Sequence, residues 1–305
     1  MTNHPASAVP RWQLIGGFLI IYVVWGSTYL AIKWGVATIP PFSMAAARFL
    51  VAGSVLYAFA RWRGAARPTA TNWRASAVIG TLLLFVGNGA VSWASRRVSS
   101  GLTSVLVATV PLWLVLCEAW MGKRPRPLQL IGVGIGLVGV ALLVLPRAGG
   151  GTTVDLPGAL VLTLGSLSWT AGSLYSRSAP QAKPAPLAIG MQMLTGGGLF
   201  VLLSLALGEW RLIHPSLISA QSVASLVYLI IFGSLIGFST YMWLLTVASP
   251  AAVGTYAYVN PVVAVLLGVL LGGERLPALA WTAMLIIVGG VALVSLVDAR
   301  TRPAR

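Results

Sequence analysis

The chain is short of charge, and above all of negative charge. Only 8% of its 305 residues are charged, and five Asp or Glu stand against 20 Lys or Arg. A soluble domain carries roughly 25% charged residues. Five carboxylates cannot keep a water-facing surface of this size hydrated, so a soluble fold is excluded. Cys117 stands alone, which excludes an intramolecular disulfide and a metal site of the multi-cysteine kind. The two histidines, His4 and His214, lie outside the apolar runs, leaving no buried imidazole for metal or acid–base work. Only Arg11 precedes the first apolar run and no small-residue cleavage site follows it, so an uncleaved first helix is expected. The net charge of +15 sits in short clusters between apolar runs, without the continuous basic face that nucleic acid requires.

What the chain has is hydrocarbon: 57% hydrophobic residues and a mean hydropathy of +0.89. Its apolar runs are about twenty residues long, the length of helix that crosses about 30 Å of lipid. A barrel would instead show segments of about ten residues with alternating polarity. The runs fall near 12–32, 41–61, 74–94, 101–121, 128–146, 156–176, 186–207, 221–246, 251–272 and 277–297. A glycine-rich break, "PRAGGGTTVDLP", divides them five and five, into repeats over 12–146 and 156–297. The expected fold is all-α and polytopic, ten transmembrane helices as two inverted five-helix repeats.

Two echoes support the repeat. "ATVPLWLVLCEAWMGKRPRP" and "YVNPVVAVLLGVLLGGERLP" lie 150 residues apart and share Pro111/Pro261, Gly122/Gly272 and Pro127/Pro277. "WGSTYLAIK" and "WTAGSLYSR" put Trp25 and Lys33, then Trp169 and Arg177, at one spacing of eight. Five spans per copy send the second copy into the membrane from the opposite side. With the N-terminus inside, inner segments hold 13 of the basic residues and outer loops 6, the bias expected for cytoplasmic termini. It also explains why "GKRPRP" is basic and "GGERLP" neutral, since they end on opposite sides.

Pro111 and Pro261 fall near the middle of their spans, where each frees the carbonyl four residues earlier, those of Val107 and Ala257. Such a break either serves as a hinge beside a midplane site or is a packing kink. Around the second break gather Tyr256, Tyr258 and Asn260, with Tyr256 and Asn260 on one helical face. Other candidates for a polar-aromatic cavity are Trp25, Ser27, Thr28, Tyr29, Asn88, Trp93, Trp113, Trp169, Gln192, Tyr241 and Trp243. Trp12, Trp34, Trp62, Trp73, Trp120, Trp210 and Trp281 fall near span ends, where tryptophan forms the interfacial belt. Arg48 is the one basic residue well inside a span; it either holds a substrate carboxylate or caps exposed carbonyls. "GIGLVG" matches a dinucleotide fingerprint, but no strand precedes it, and Gly132 and Gly136 read as helix-packing residues.

The ten spans, "WGSTYLAIK", "PPFSMAAARFL" and the "GGERL" ending followed by a "GGVAL" helix resemble the drug/metabolite transporter superfamily. More narrowly, they resemble its EamA-type bacterial exporters and the YddG-like exporters of aromatic and other amino acids. The resemblance covers residues 12–297 and implies an inner-membrane secondary transporter with a small-molecule substrate, no cofactor and no enzymatic activity. It also implies a cavity lined by helices one to four and six to nine, with helices five and ten peripheral. Lys123 and Arg124 stand where many relatives carry Glu, and the first span lacks the glutamate of the small multidrug-resistance relatives. The expected activity is export of amino acids or related metabolites by alternating access. A phosphorylated-sugar or nucleotide-sugar antiporter would want several cavity cations, and an intramembrane lipid enzyme would want a convergent acid, base or metal set.

Overall fold

The structure is a computed structural model, and it describes residues 10–122, 124–144, 155–248, 253 and 255–299. Every regular element among them is helical. In chain order these are α1 (Arg11–Gly35), α2 (Pro41–Trp62), α3 (Ala70–Ala94), α4 (Ser100–Trp120) and α5 (Pro127–Val144). They continue as α6 (Leu156–Ser176), α7 (Ala185–Ala206), α8 (220–247), α9 (Tyr256–Leu270) and α10 (Ala278–Ala299). Among the described residues six stretches are long and apolar enough to cross a membrane: α1, α2, α3, α4, α7 and Ala220–Tyr241 of α8. Shorter apolar helices cover Pro127–Leu142, Val259–Leu270 and Ala278–Val294.

Local sequence sets the starts and stops. Thr69, Ser99, Asp155 and Ser219 each accept a backbone N–H of the first turn they precede, of α3, α4, α6 and α8 respectively. Proline opens α2 and α5, where its missing N–H is no loss. Gly64 and Gly208 take positive φ just after α2 and α7, at the 144-residue offset that also separates Trp25 from Trp169. Gly122 and Gly273 do the same after α4 and α9.

Three helices are irregular. Within α4, Ser100–Val107 and Val110–Trp120 are separate segments joined by a turn at Ala108 and Thr109, so the chain breaks just ahead of Pro111. Thr109 fills the gap: its hydroxyl donates to the Leu106 carbonyl and accepts from Trp113 Nε1 at 3.0 Å. Pro261, by contrast, lies inside a continuous α9. The paired prolines therefore do not make a matched pair of breaks. Instead, α3 and α8 each carry a π-helical segment, Gly80–Asn88 and Leu229–Ile236.

The closest helix pairs are α2 with α7 and α5 with α10. Both rely on glycine at backbone contacts. A methyl group at Gly190 would sit 2.7 Å from Tyr57 N, and one at Gly290 would sit 2.6 Å from Gly132 O. "GIGLVG" is thus a packing face: Gly139 lies against Ala283 and Ile287 of α10, and Gly132 against Val294. No nucleotide turn exists there.

Side-chain bonds identify the two ends of the bundle. At one end Lys33 of α1 meets Glu274, and Glu274 accepts from Ser100 N at the start of α4. Glu209 accepts from Ser43 N at the start of α2, and Thr38 donates to Ser222 of α8. Since α4 starts at this end, its far end is the other one. There Glu118 pairs with Arg177 at the close of α6. So α1 and α6 terminate at opposite ends.

Candidate functional site

Between those ends the helices leave a cavity of about 840 Å³, the open space at its mouth included. Among the described residues the sides come from α1, α2, α3, α4, α6, α8 and α9; α5 and α10 contribute nothing to it, and neither does α7, which was expected in the lining and packs on α2 instead. Of the residues expected at a site, Trp25, Thr28, Arg48, Asn88, Trp169, Tyr256, Asn260 and Pro261 line it. Val107 and Ala257, whose carbonyls the two prolines release, line it as well.

The cavity has an aromatic side and a polar side. Trp25 is the centre of the first, with Tyr241, Tyr256 and Phe238 at ring-centroid distances of 5.0, 5.2 and 5.4 Å. Tilted and edge-to-face arrangements of this kind set each ring's positive edge on its neighbour's negative face. Tyr241 thus supports Trp25 without lining the cavity itself. Glycine makes room for both deep tryptophans. A methyl at Gly237 would sit 2.6 Å from Trp25 Nε1, and one at Gly87 would sit 3.0 Å from Trp169 Cε3.

Arg48 heads the polar side. It is 5% exposed, its Nε donates to Ser234 Oγ at 2.9 Å, and its guanidinium stands 4.9 Å from the Phe49 ring centre. No backbone carbonyl accepts from it among the described residues, so capping is not its use here. Asn88 sits at the end of the α3 π segment and donates to the Leu83 carbonyl at 3.4 Å. Asn260 is 4% exposed, and its Oδ1 has no hydrogen-bond partner. A buried acceptor left alone costs about 1–3 kcal/mol, which a fold sustains only for a reason elsewhere.

Other expected residues lie off the cavity. Trp93 packs on the core near the end of α3, under the Arg97 guanidinium at 4.7 Å. Trp113 turns back onto Thr109, and Pro111 begins the second segment of α4. The Tyr258 side chain lies outside the described residues. Tyr29, a candidate from the sequence, lines the cavity, and Ser104, Ser166 and Phe238 line it without having been expected there. Among the described residues no cluster of His, Cys, Asp or Glu could hold a metal.

The sequence model of the EamA-like transporter family matches residues 13–145 and matches again over 156–296. The chain belongs to the EamA-like transporter family. Its EamA membership makes it a membrane transporter of a small-molecule substrate rather than an enzyme. It is similar to the uncharacterized inner membrane transporter YedA of Escherichia coli (strain K12), at 42% identity over 93% of this chain and 90% of the relative. A probable amino-acid metabolite efflux pump of Salmonella typhimurium is 25% identical over 90% of this chain and 91% of its own. A crystal structure of a protein superposes with a TM-score of 0.64 at 26% identity, covering 93% of this chain and 96% of the other.

Proposed function

We propose that the chain is an inner-membrane exporter of amino acids, aromatic ones among them, or of related small metabolites, working by alternating access between two inverted five-helix repeats. The observation that carries the reading is the paired seating of the deep tryptophans. Trp25 of α1 rests on Gly237 of α8, and Trp169 of α6 rests on Gly87 of α3. Exchange of the two halves turns one pair into the other, and both rings face one cavity. The helix contacts follow the same exchange: α1 meets α9 and α8 as α6 meets α4 and α3. The π segments fall in the corresponding helices α3 and α8.

Two inverted halves around a midplane cavity can rock so that it opens to one side and then the other. The aromatic side offers a flat apolar surface, while Arg48, Asn88 and Asn260 offer polar contacts. The inner-membrane placement follows YedA, and the amino-acid reading draws on the efflux pump of Salmonella typhimurium. The charge count supports termini in the cytoplasm. Phosphorylated substrates fit less well, because Arg48 is the one cation among the described cavity residues.

The test is counterflow in proteoliposomes loaded with a panel of unlabelled amino acids. Labelled phenylalanine or leucine is expected to accumulate above protein-free vesicles, and Trp25→Ala together with Trp169→Ala is expected to abolish it. Accumulation equal to empty liposomes across the whole panel would sink the proposal.

A further inference from the structure

The chain has five carboxylates, and the whereabouts of four decide what the cavity can bind. Glu118 pairs with Arg177 at 2.8 Å, and Asp155 accepts from Gly158 N at 2.8 Å beside Arg97. Glu209 accepts from Ser43 N at 2.7 Å, and Glu274 pairs with Lys33 at 2.7 Å. All four serve the ends of helices. The fifth, Asp298, is next to the last residue of α10, a helix that contributes nothing to the cavity. Arg48 therefore stands buried in the cavity wall with no carboxylate opposite it among the described residues.

A buried cation is costly unless an anion and hydrogen-bond acceptors compensate it. Arg48 has one acceptor, and that acceptor takes only Nε. Neither terminal nitrogen donates to a protein atom among the described residues, so the Nη1–Nη2 edge, a two-pronged donor matched to a carboxylate, is left over. The side chain is held for such use. Ser234 fixes Nε from the π segment of α8, and Gly233 leaves the space that Nη2 occupies, 3.1 Å from where a side chain would begin. Its counterpart in the second repeat, 144 residues on, is the neutral Gln192, which bonds Gln181 away from the cavity. Among its described residues the cavity thus has one charge, and it belongs to one half only.

We infer that Arg48 is the carboxylate-binding residue of the transport site, so that the cargo is a monocarboxylate carrying an apolar or aromatic group, and an α-ammonium is dispensable. This rests on the exporter reading above and narrows it. The carboxylate supplies the anion that Arg48 lacks, and the apolar group lies against Trp25, Trp169 and Tyr256. Nothing charged among the described cavity residues rewards a cation, which disfavours amines lacking a carboxylate.

Matched probes separate these groups: phenylalanine, 3-phenylpropionate and phenethylamine, and the parallel set leucine, 4-methylpentanoate and isopentylamine. Binding is read by the thermal midpoint of the purified full-length protein, independently of transport, and counterflow of labelled phenylalanine is competed with each probe. Both acids and both amino acids are expected to raise the midpoint and compete, and the amines to compete about tenfold to a hundredfold less well, the worth of a charge-assisted hydrogen bond. Arg48→Gln should bring the acid-to-amine ratio close to one, and Arg48→Lys should keep part of it. A lost fold in Arg48→Gln leaves the wild-type ratio to decide. Equal action by acids and amines, failure of the deaminated acids, or binding of no probe would overturn the assignment. Binding in the expected order without counterflow would instead overturn the exporter reading and leave the assignment standing.

Discussion

Glu274 holds three groups together: the Lys33 ammonium at 2.7 Å, the Ser100 N–H at 2.7 Å and the Gly101 N–H at 3.3 Å. Burial alone would push its carboxyl up, but these donors outweigh burial and hold it below the ordinary 4.5. A depressed carboxyl stabilises the fold fully above its unfolded value and loses that contribution as pH falls through the folded one. Glu274→Gln should therefore lower stability at pH 7 by about 1–3 kcal/mol, the cost of leaving charged and backbone donors underpaired. The gap between variant and wild type should close as pH drops below 4.5. Melting curves of both proteins across that range check it, and a gap that stays constant would rule the charge out as the cause. In the sequence Glu274 marked only the end of an apolar run and Lys33 only a topology signal. An ion pair across 241 residues leaves no local trace. Arg48 was legible because a charge inside hydrocarbon demands a use. Trp93 and Trp113 misled because depth along a span does not tell which face a ring takes, and Trp113 turned onto Thr109.

Among the helices, the apolar spans were legible and their irregularities only partly so. A proline tells which hydrogen bond is missing, whereas its surroundings decide whether the helix breaks. At Pro111 the Thr109 side chain takes up the loose groups and the helix separates; at Pro261 α9 runs on. The π segments had no proline to announce them, yet Gly87 and Gly237, and Trp93 and Trp243, lie 150 residues apart, the offset already set by Pro111 and Pro261. Reading that echo would have singled out the tryptophan seats. Since hinges lie where backbone geometry changes, α4 should be the element that bends during transport. Pro111→Ala is expected to slow counterflow severalfold while the thermal midpoint holds or rises. Pro261→Ala should slow it less, because alanine there only restores a bond in a helix already continuous. Equal slowing by both substitutions, or none by Pro111→Ala, would remove the hinge from α4.

For the whole molecule, the two bundle ends are not fastened alike. The end at Lys33 is tied by Glu274, by Glu209 on the start of α2, by Thr38 on Ser222 and by Arg96 on the Val36 carbonyl. The end at Arg177 has its pair with Glu118 and a bond from Asn72 to the Pro180 carbonyl. Arg177 is half exposed, and an ion pair so open to water adds at most about 1 kcal/mol. The Glu274 carboxylate is 3% exposed and screened far less. The end at Arg177, cytoplasmic in the proposed topology, should therefore open first, and loosening either end should bias access to its own side. A single thiol reports on this: Ser104→Cys in the cavity wall, with Cys117→Ser removing the native one. With an impermeant thiol reagent on one side of oriented vesicles, Arg177→Ala should speed labelling from the cytoplasmic side, and Glu274→Gln should speed it from the opposite side. Faster labelling from the same side in both variants would mean that the two pairs do not guard opposite mouths, and the rocking of inverted halves would lose its support.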